Sequence, residues 1–377
     1  MPKKNGIVVM KFGGTSVADA DKIRHVAQKV VAAKEIGNKV VVTVSAMGST
    51  TDDLIGMAKQ ITGEPSRREM DMLLSTGEQV SIALLSMAIH EKNQPCISLT
   101  GNQAGILTDN IYTNAKILSI SCNRILDELK DDKIVIVAGF QGVSRQNDIT
   151  TLGRGGSDTT AVALASALKA KYCEIYTDVR GVYTTDPNLV PEAKKIHSLS
   201  YDEMLEMASS GAKVLHLRAV EFAKKHNVIL HVRSSFNDIE GTWIMERTNE
   251  KMERPIITGV SYDTNQIKIT VYGLLDEPGI AARLFGALAR ENVNVDLIVQ
   301  NVSEKNIATI SLTVTENDKN MARKTVEKLG YENVEIDPEV SKVSIVGAGM
   351  QTHPGIAAKM FKLLGEENIN IEMISTS

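Results

Sequence analysis

Cysteine is scarce. The three residues present, Cys96, Cys122 and Cys173, lie far apart and are odd in number. That excludes a disulfide framework and a cysteine-based zinc site, and it suits a reducing compartment. No stretch approaches the roughly 20 apolar residues of a membrane span. The start, MPKKNGIVVMKFGG, is basic but has no long apolar run and no small-residue cleavage site. No signal peptide is expected, therefore, and the chain reads as a soluble cytoplasmic protein with no membrane partner. Charge of one sign is lacking as well. Lys+Arg 42 against Asp+Glu 46 leaves a net charge of −4, which argues against a nucleic-acid or anionic-membrane coat. There is no GxxxxGK[ST] phosphate loop, no GxGxxG with an acidic ribose clamp, no HRD or DFG signature and no GxSxG elbow. The seven histidines lack HExxH spacing and read as surface or packing residues, so no metal ligand is assigned.

What is present fits two or three globular domains. The chain has 377 residues, 43% hydrophobic and 23% charged. Its first part alternates short apolar runs with helical patterns. Strands are expected at Ile7–Lys11, Lys39–Val44, Cys96–Leu99, Ile134–Ala138, Tyr172–Thr177 and Ile229–Val232. Helices are expected at Ala18–Lys34, Met70–Ala88, Lys116–Leu129, Thr159–Leu168, Tyr201–Ala208 and Lys213–Lys225. Ile23, Val26, Val30 and Val31 share one face of the first helix. This alternation predicts an α/β unit, a mostly parallel sheet covered on both faces. It runs to about Arg247, and the polar stretch Glu246–Arg254 reads as a linker.

The remainder holds an internal repeat. Pro278–Ile298 aligns with Pro354–Ile374 at an offset of 76, with 11 of 21 positions identical. Each copy follows a strand (Ile267–Tyr272, Val343–Val346), opens a helix with Pro-Gly and closes with Glu-Asn and an alternating strand. The first copy continues with a strand at Ala308–Val314, a helix at Met321–Leu329 and a strand near Val334–Ile336. That βαββαβ order is the ferredoxin-like pattern. The second copy stops at Ser377 after βαβ. Half a sheet with a raw edge is a liability, so either it is truncated or Ile256–Ser261 and a partner chain complete it.

Three glycine-rich segments carry the chemistry. Lys11-Phe12-Gly13-Gly14-Thr15-Ser16 lies between a strand and a helix. Glycines let the backbone approach a ligand, helix-start N–H groups bind anions, and a lysine supplies a point charge for phosphate. A tight turn with a surface lysine reads the same residues without function. Thr151–Thr160 contains Gly153-Arg154-Gly155-Gly156-Ser157-Asp158. Ser, Asp and Thr are good helix caps, but capping does not explain Arg154, whose guanidinium can hold a carboxylate in two parallel bonds. Thr177–Pro187 follows a strand, where ligands sit in open α/β sheets, although Asp-Pro also favours plain turns. Ser210-Gly211-Ala212-Lys213 adds a fourth glycine–lysine element. Cations in several glycine turns on one sheet suit an anionic nucleotide facing a small anionic acceptor.

These residues match a known pattern. KFGGTS at Lys11–Ser16, VSAMGSTTD at Val44–Asp52, STGE at Ser75–Glu78, GRGGSDTTA at Gly153–Ala161 and YTDVRGVYTTDP at Tyr176–Pro187 resemble the aspartate kinases of the amino-acid kinase superfamily. The repeat resembles their paired ACT modules, including the QN at Gln300-Asn301 and the STS at Ser375–Ser377. The resemblance implies a three-layer amino-acid kinase fold over residues 1–247. A linker and shared strand would follow at 248–263, then ferredoxin-like ACT modules at 264–340 and 341–377. Family members continue for a few tens of residues more, so the second module is expected to be incomplete.

The implied reaction is transfer of the γ-phosphoryl group of ATP, as its Mg²⁺ complex, to the side-chain carboxylate of L-aspartate. By the resemblance, Lys11 would neutralise the transferring phosphoryl group, and Gly13 and Gly14 would donate N–H groups to it, with Ser16 beside them. Arg154, with Gly155, Gly156 and Ser157, would grip an aspartate carboxylate. Glu78 would receive its ammonium, Thr51 would contact the acceptor, and Ser45 is a further candidate. Asp158 would hold the geometry of the lysine and substrate. Thr177, Asp178, Tyr183, Asp186 and Val214 would surround the nucleotide, with Lys213 on its phosphates. Without the family, Glu78 reads as an exposed helix carboxylate and Thr51 as a helix cap. An amino-acid effector, lysine or threonine, would bind at Asp276, Gly279, Ile280 and Ala281 and at Asn292, Asn294, Asp296 and Gln300. A homo-oligomer is expected, with room for a separate ACT-only subunit. Other acceptors (glutamate, acetylglutamate, UMP) and a non-catalytic amino-acid sensor stand as alternatives.

Overall fold

The computed structural model describes residues 6–212, 214–246, 257–302, 306–331, 333–347 and 355–376. The chain divides into two compact units, Met1–Glu253 and Arg254–Ser377. Most of the expected linker, Lys213, Ile256, Pro354 and Ser377 lie outside the described residues.

Unit 1 begins with β1 (Ile7–Phe12), a 3-10 turn at Gly14–Val17, α1 (Ala20–Glu35), β2 (Lys39–Val44), α2 (Thr50–Ile61), α3 (Arg67–His90) and β3 (Cys96–Leu99). It continues with β4 (Ile106–Thr108), β5 (Ile117–Ile120), α4 (Asn123–Lys130), β6 (Ile134–Ala138), β7 (Gln141–Val143) and β8 (Ile149–Thr151). Then come α5 (Gly156–Ala167), β9 (Cys173–Thr177), β10 (Ser198–Leu199), α6 (Tyr201–Ser209), α7 (Leu217–His226), β11 (Leu230–Ser234) and β12 (Thr242–Ile244). The main sheet has eight strands in the order β10-β12-β11-β9-β1-β2-β6-β3. From β11 to β3 every neighbour is parallel; β12 runs antiparallel to β11. The apolar runs of β1, β2 and β6 are buried almost throughout, as strands covered on both faces must be. Ile23, Val26, Val30 and Val31 of α1 pack on Val8, Met10 and Phe12 of β1.

One local expectation fails, and one helix was not anticipated. Lys116–Leu129 is not one helix: Ile117–Ile120 pairs with β4 in a small four-stranded sheet, and the helix starts only at Asn123. The β-branched Ile117 and Ile120 favour the pleat over the helix. The helix of Thr50–Ile61 has no buried residue, so no core-facing stripe announced it. α3 bears on the expected absence of a long apolar run. It is long and apolar enough to cross a membrane by length and composition, yet half of its most apolar window is buried within the protein, and Asp71 and Glu78 lie on its buried face.

Unit 2 contains β13 (Gly259–Leu275), α8 (Ile280–Arg290), β14 (Ile298–Val302), β15 (Ile307–Val314), α9 (Lys319–Lys328), β16 (Val334–Val346) and α10 (Ile356–Glu366). The sheet order is β14-β15-β13-β16, the ferredoxin-like arrangement. Leu284 and Leu288 of α8 and Ala322 and Val326 of α9 pack with Ile269, Ile310 and Leu312 of the sheet. β13 and β16 are longer than one module needs. Past a bulge between Asp263 and Gln266, Gly259–Asp263 pairs with Lys342–Val346. That extension carries the strand expected at Val343. The alternating strand expected to close the second copy does not form: residues 369–376 are irregular. Among the described residues no strand pairs with them, and Glu372 is tied to Lys268 at 2.5 Å instead. Leu312 is fully buried. Leu312→Ala is expected to destabilise unit 2 by about 2–5 kcal/mol in urea unfolding; a loss under 1 kcal/mol would contradict this core.

Candidate active site

The chain turns one way from β1 to β2 and the other way to β9, so β1 is the switch point of the parallel sheet. Ligands in open α/β sheets bind beyond the carboxyl ends of strands at such a point. Lys11 lies at that end of β1, flanked by Thr43 of β2 and Ile175 of β9. Its Nζ stands 2.7 Å from Oδ1 of Asp158, with the two side chains only 12% and 13% exposed. Asp158 is in the first turn of α5, where the helix dipole favours an acid. Gly13 precedes the 3-10 turn, and a Cβ there would lie 3.4 Å from the Lys11 Nζ. Gly14 admits no side chain, because a Cβ would meet the Ala46 carbonyl at 2.8 Å. The Gly48 N–H donates to the Gly14 carbonyl at 3.1 Å, joining the loops after β1 and β2.

Glu78 reaches this junction from α3. The Ala46 N–H donates to its Oε1 at 3.1 Å, and Oε2 is buried without a hydrogen-bond partner. The side chain is 3% exposed, so it is not the surface carboxylate its helical setting suggests. Burial raises its pKa to about 7, against the lowering effect of the Ala46 N–H. Ser45 leaves β2 with its N–H donated to the Phe12 carbonyl at 3.1 Å. Thr51 is the second residue of α2; Ser49, not Thr51, occupies the cap position.

The Gly153–Ser157 loop opens α5. Arg154 is exposed and makes no hydrogen bond or ion pair among the described residues. Gly155 has φ +69° and caps the helix, and a Cβ there would run into the His216 ring at 2.1 Å. Gly156 and Ser157 are buried behind it. Burial holds His216 below the ordinary histidine range, and its Nδ1 is buried without a partner. His216 went unnoticed in the sequence because nothing local marks it; only packing brings it to Gly155.

The expected nucleotide side is less uniform. Thr177 ends β9, and its hydroxyl donates to Asp178 at 3.0 Å. Tyr183 forms an isolated antiparallel bridge with Lys195. The Asp186 carboxylate accepts the Asn188 N–H at 2.8 Å within its own turn. Val214 precedes His216 and α7, while Lys213 lies outside the described residues. Ser16 needs correction. Its hydroxyl is buried against that of Ser235 at 2.5 Å, and its N–H donates to the Gly13 carbonyl. It fastens the turn after β1 to the end of β11 and presents nothing to a ligand.

In unit 2, Gly279 caps α8, and Ala281 follows in its first turn. The Ile280 side chain is buried in the core, and its N–H donates to the Glu277 carbonyl. Asn292 and Asn294 are exposed, and the Gln300 amide reaches Asp276 at 3.5 Å. Asp296 pairs with Lys342 at 2.5 Å. A free carboxylate for an effector's ammonium is therefore not what Asp296 offers in this state.

The profile of the Amino acid kinase family matches residues 6–234, and that of the ACT domain matches residues 269–329 and 343–377. An aspartokinase of Pseudomonas aeruginosa is 50% identical over 376 residues, covering 98% of this chain and 91% of the relative. One of Geobacillus stearothermophilus is 51% identical over 372 residues, covering 99% and 91%. The chain belongs to the aspartokinase family. It is an ATP-using kinase with C-terminal ACT regulatory sequence. Among solved aspartokinases, Escherichia coli aspartokinase III in complex with aspartate and ADP (R-state) is similar with a TM-score of 0.84 and 28% identity, over 98% of this chain and 94% of that one. The same enzyme with lysine and aspartate (T-state) gives 0.76 over 98% and 93%.

Glu78 makes the stability of this kinase depend on pH. The folded state holds its proton more tightly than the unfolded chain, whose carboxyl titrates near 4.5. The contribution of Glu78 is therefore fully present below pH 4.5 and is lost as pH rises through about 7, about 3 kcal/mol in all. Glu78→Gln is expected to remove this component. Urea unfolding of both proteins between pH 4.5 and 7.5 checks it, and parallel curves would rule it out.

Proposed function

We propose that this aspartokinase transfers the γ-phosphoryl group of MgATP to the side-chain carboxylate of L-aspartate, giving 4-phospho-L-aspartate. The observation that carries the reading is the buried, half-partnered Glu78 carboxylate across the β1–β2 junction from the Lys11–Asp158 pair. A phosphoryl acceptor with an ammonium fits such a group; acetylglutamate and UMP offer none. Arg154, exposed and unpaired among the described residues, takes an acceptor carboxylate in a bidentate grip. Gly155, Gly156 and Ser157 line the start of α5 beside it, and Thr51 and Ser45 close the acceptor side.

The acceptor carboxylate is already ionised at neutral pH, so no general base is needed. What remains is in-line positioning and charge neutralisation. Lys11 supplies the cation at the transferring phosphoryl group, and Asp158 holds Lys11 there. Gly13 and Gly14 offer N–H groups to phosphate oxygens. Thr177, Asp178, Tyr183, Asp186, Lys213 and Val214 form the nucleotide side. Among the described residues no group of three or more His, Cys, Asp or Glu side chains is placed to hold a metal ion. No protein ligand is assigned to Mg²⁺, which would be held chiefly through the nucleotide and would lower the repulsion between the two reacting anions.

In unit 2 we read residues 264–340 as one ACT module and 341–377, with the strand before residue 264, as part of a second. Lysine or threonine binding at the turn around Asp276, Gly279 and Ala281, with Asn292, Asn294 and Gln300, would regulate the kinase at the head of lysine, threonine and methionine synthesis. The lysine-bound relative supports an amino-acid effector. Binding must favour one state of an oligomer to change activity.

ATP-dependent acyl phosphate, trapped with hydroxylamine, tests the reading. Hydroxamate is expected with aspartate and not with glutamate or acetylglutamate, and less of it when lysine or threonine is added. Lys11→Ala should lower kcat by on the order of 10³-fold. Hydroxamate from another acceptor alone, or full transfer by Lys11→Ala, would refute the assignment.

A further inference from the structure

The acceptor loop is held from behind by one buried and one half-buried charge that the sequence did not single out. Asp71, on α3, is fully buried. Both of its oxygens accept the Thr113 N–H at 3.0 Å, Oδ2 accepts the Thr151 N–H at 2.9 Å, and Oδ1 accepts the Thr151 hydroxyl at 2.6 Å. Arg218, on α7, donates from Nη1 to the Leu152 carbonyl at 2.7 Å and from Nη2 to the Ala115 carbonyl at 2.8 Å. The two side chains grip the same two segments, Thr113–Ala115 and Thr151–Leu152. The acid takes their N–H groups and the guanidinium takes their carbonyls. The segments are also joined directly, the Ala115 N–H donating to the Thr151 carbonyl at 2.9 Å.

Thr113 has φ +68°, an unfavourable conformation for a β-branched residue. Its N–H, shared between both oxygens of Asp71 in one charge-assisted contact, holds it there. The chain then passes from Leu152 through Gly153 to Arg154. Among the described residues no hydrogen bond or ion pair holds the Arg154 side chain, so its position follows from the loop backbone, which the Leu152 N–H to Phe140 carbonyl and Gly156 N–H to Gly153 carbonyl bonds also hold. Arg218 also lies two residues after His216, whose ring meets Gly155. One helix start thus contacts the acceptor loop on both sides of Arg154.

We propose that Arg218 and Asp71 are positioning residues for the acceptor. They preset the Gly153–Ser157 loop so that Arg154 meets the aspartate carboxylate. The proposal rests on Arg154 as an acceptor ligand. A guanidinium reaches both carbonyls at once, whereas an ammonium reaches one.

Arg218→Lys keeps the charge and loses one of the two bonds. Its aspartate KM is expected to rise about tenfold, with ATP KM within about twofold of the parent. Arg218→Ala should raise aspartate KM further, and a few millimolar guanidinium should restore part of the loss. Arg154→Ala is measured beside them. If Arg154→Ala raises aspartate KM and both Arg218 variants, folded by circular dichroism, leave it unchanged, the positioning role is overturned while the acceptor site stands. Equal rises in both KM values would also overturn it, as the mark of a general structural defect. If Arg154→Ala leaves aspartate KM unchanged, the acceptor assignment falls and the proposal with it.

Discussion

Two opposite charges, Lys11 and Asp158, meet at 2.7 Å beneath the open edge of a parallel sheet, and neither is much exposed. Removing one partner of such a pair leaves the other charge poorly solvated, at a cost of roughly 3–5 kcal/mol. Most of unit 1 is arranged so that this does not happen. β1 must lie at the centre of the sheet to carry Lys11 to the switch point. α5 must begin where its first turn faces β1. The loop before α5 must contain glycines, because Gly155 has a left-handed backbone and no space for a Cβ. The loop after β1 must do likewise, because Gly14 touches the backbone after β2.

The charges around this edge are of both signs. Lys11 and Arg154 are cations; Asp158 and Glu78 are acids. A pocket made only of cations would suit a phosphate and hold it too well in its starting state. A mixed set suits an acceptor that is itself a zwitterion. Burial makes Glu78 uneasy as a lone anion, and an ammonium would relieve that. Under the proposed function, the acceptor side is thus more comfortable loaded than empty. It also explains why the carboxylate is tolerated inside α3, a helix otherwise apolar enough to be mistaken for a membrane span.

Much of this was legible in the residues. Buried parallel strands are runs of Val and Ile, so β2, β3 and β6 could be read with their observed bounds. The glycine-rich loops could be read because close backbone approach leaves few alternatives to glycine. Short strands could not. β4, β7 and β8 have three residues each, too few for a period to show. Asp71, Arg218 and His216 escaped for a different reason. Asp71 and Arg218 act mainly on backbone atoms tens of residues away, and a side chain that binds main-chain N–H or carbonyl groups leaves no partner residue to notice; His216 only packs against a glycine 61 positions earlier. Ser16 was misjudged by the converse route. It lies in a phosphate-like motif, but its hydroxyl bonds Ser235, 219 positions later. In unit 2 the repeat was plain, but which halves of which strands belong to each copy was not. Only pairing reveals that β13 and β16 each serve twice.

That double service has a thermodynamic consequence. β13 runs 17 residues, and from Gly259 to Val271 its ladder to β16 is interrupted only by local bulges. Its later half builds the first copy's sheet, and its earlier half carries the strand of the second. A hinge between two modules would let each melt by itself. Here the two copies share one strand pair, so separating them means breaking hydrogen bonds between β13 and β16. The repeat is double in sequence but shares one ladder, so a disturbance that frays one half is expected to reach the other through hydrogen bonds instead of through a linker.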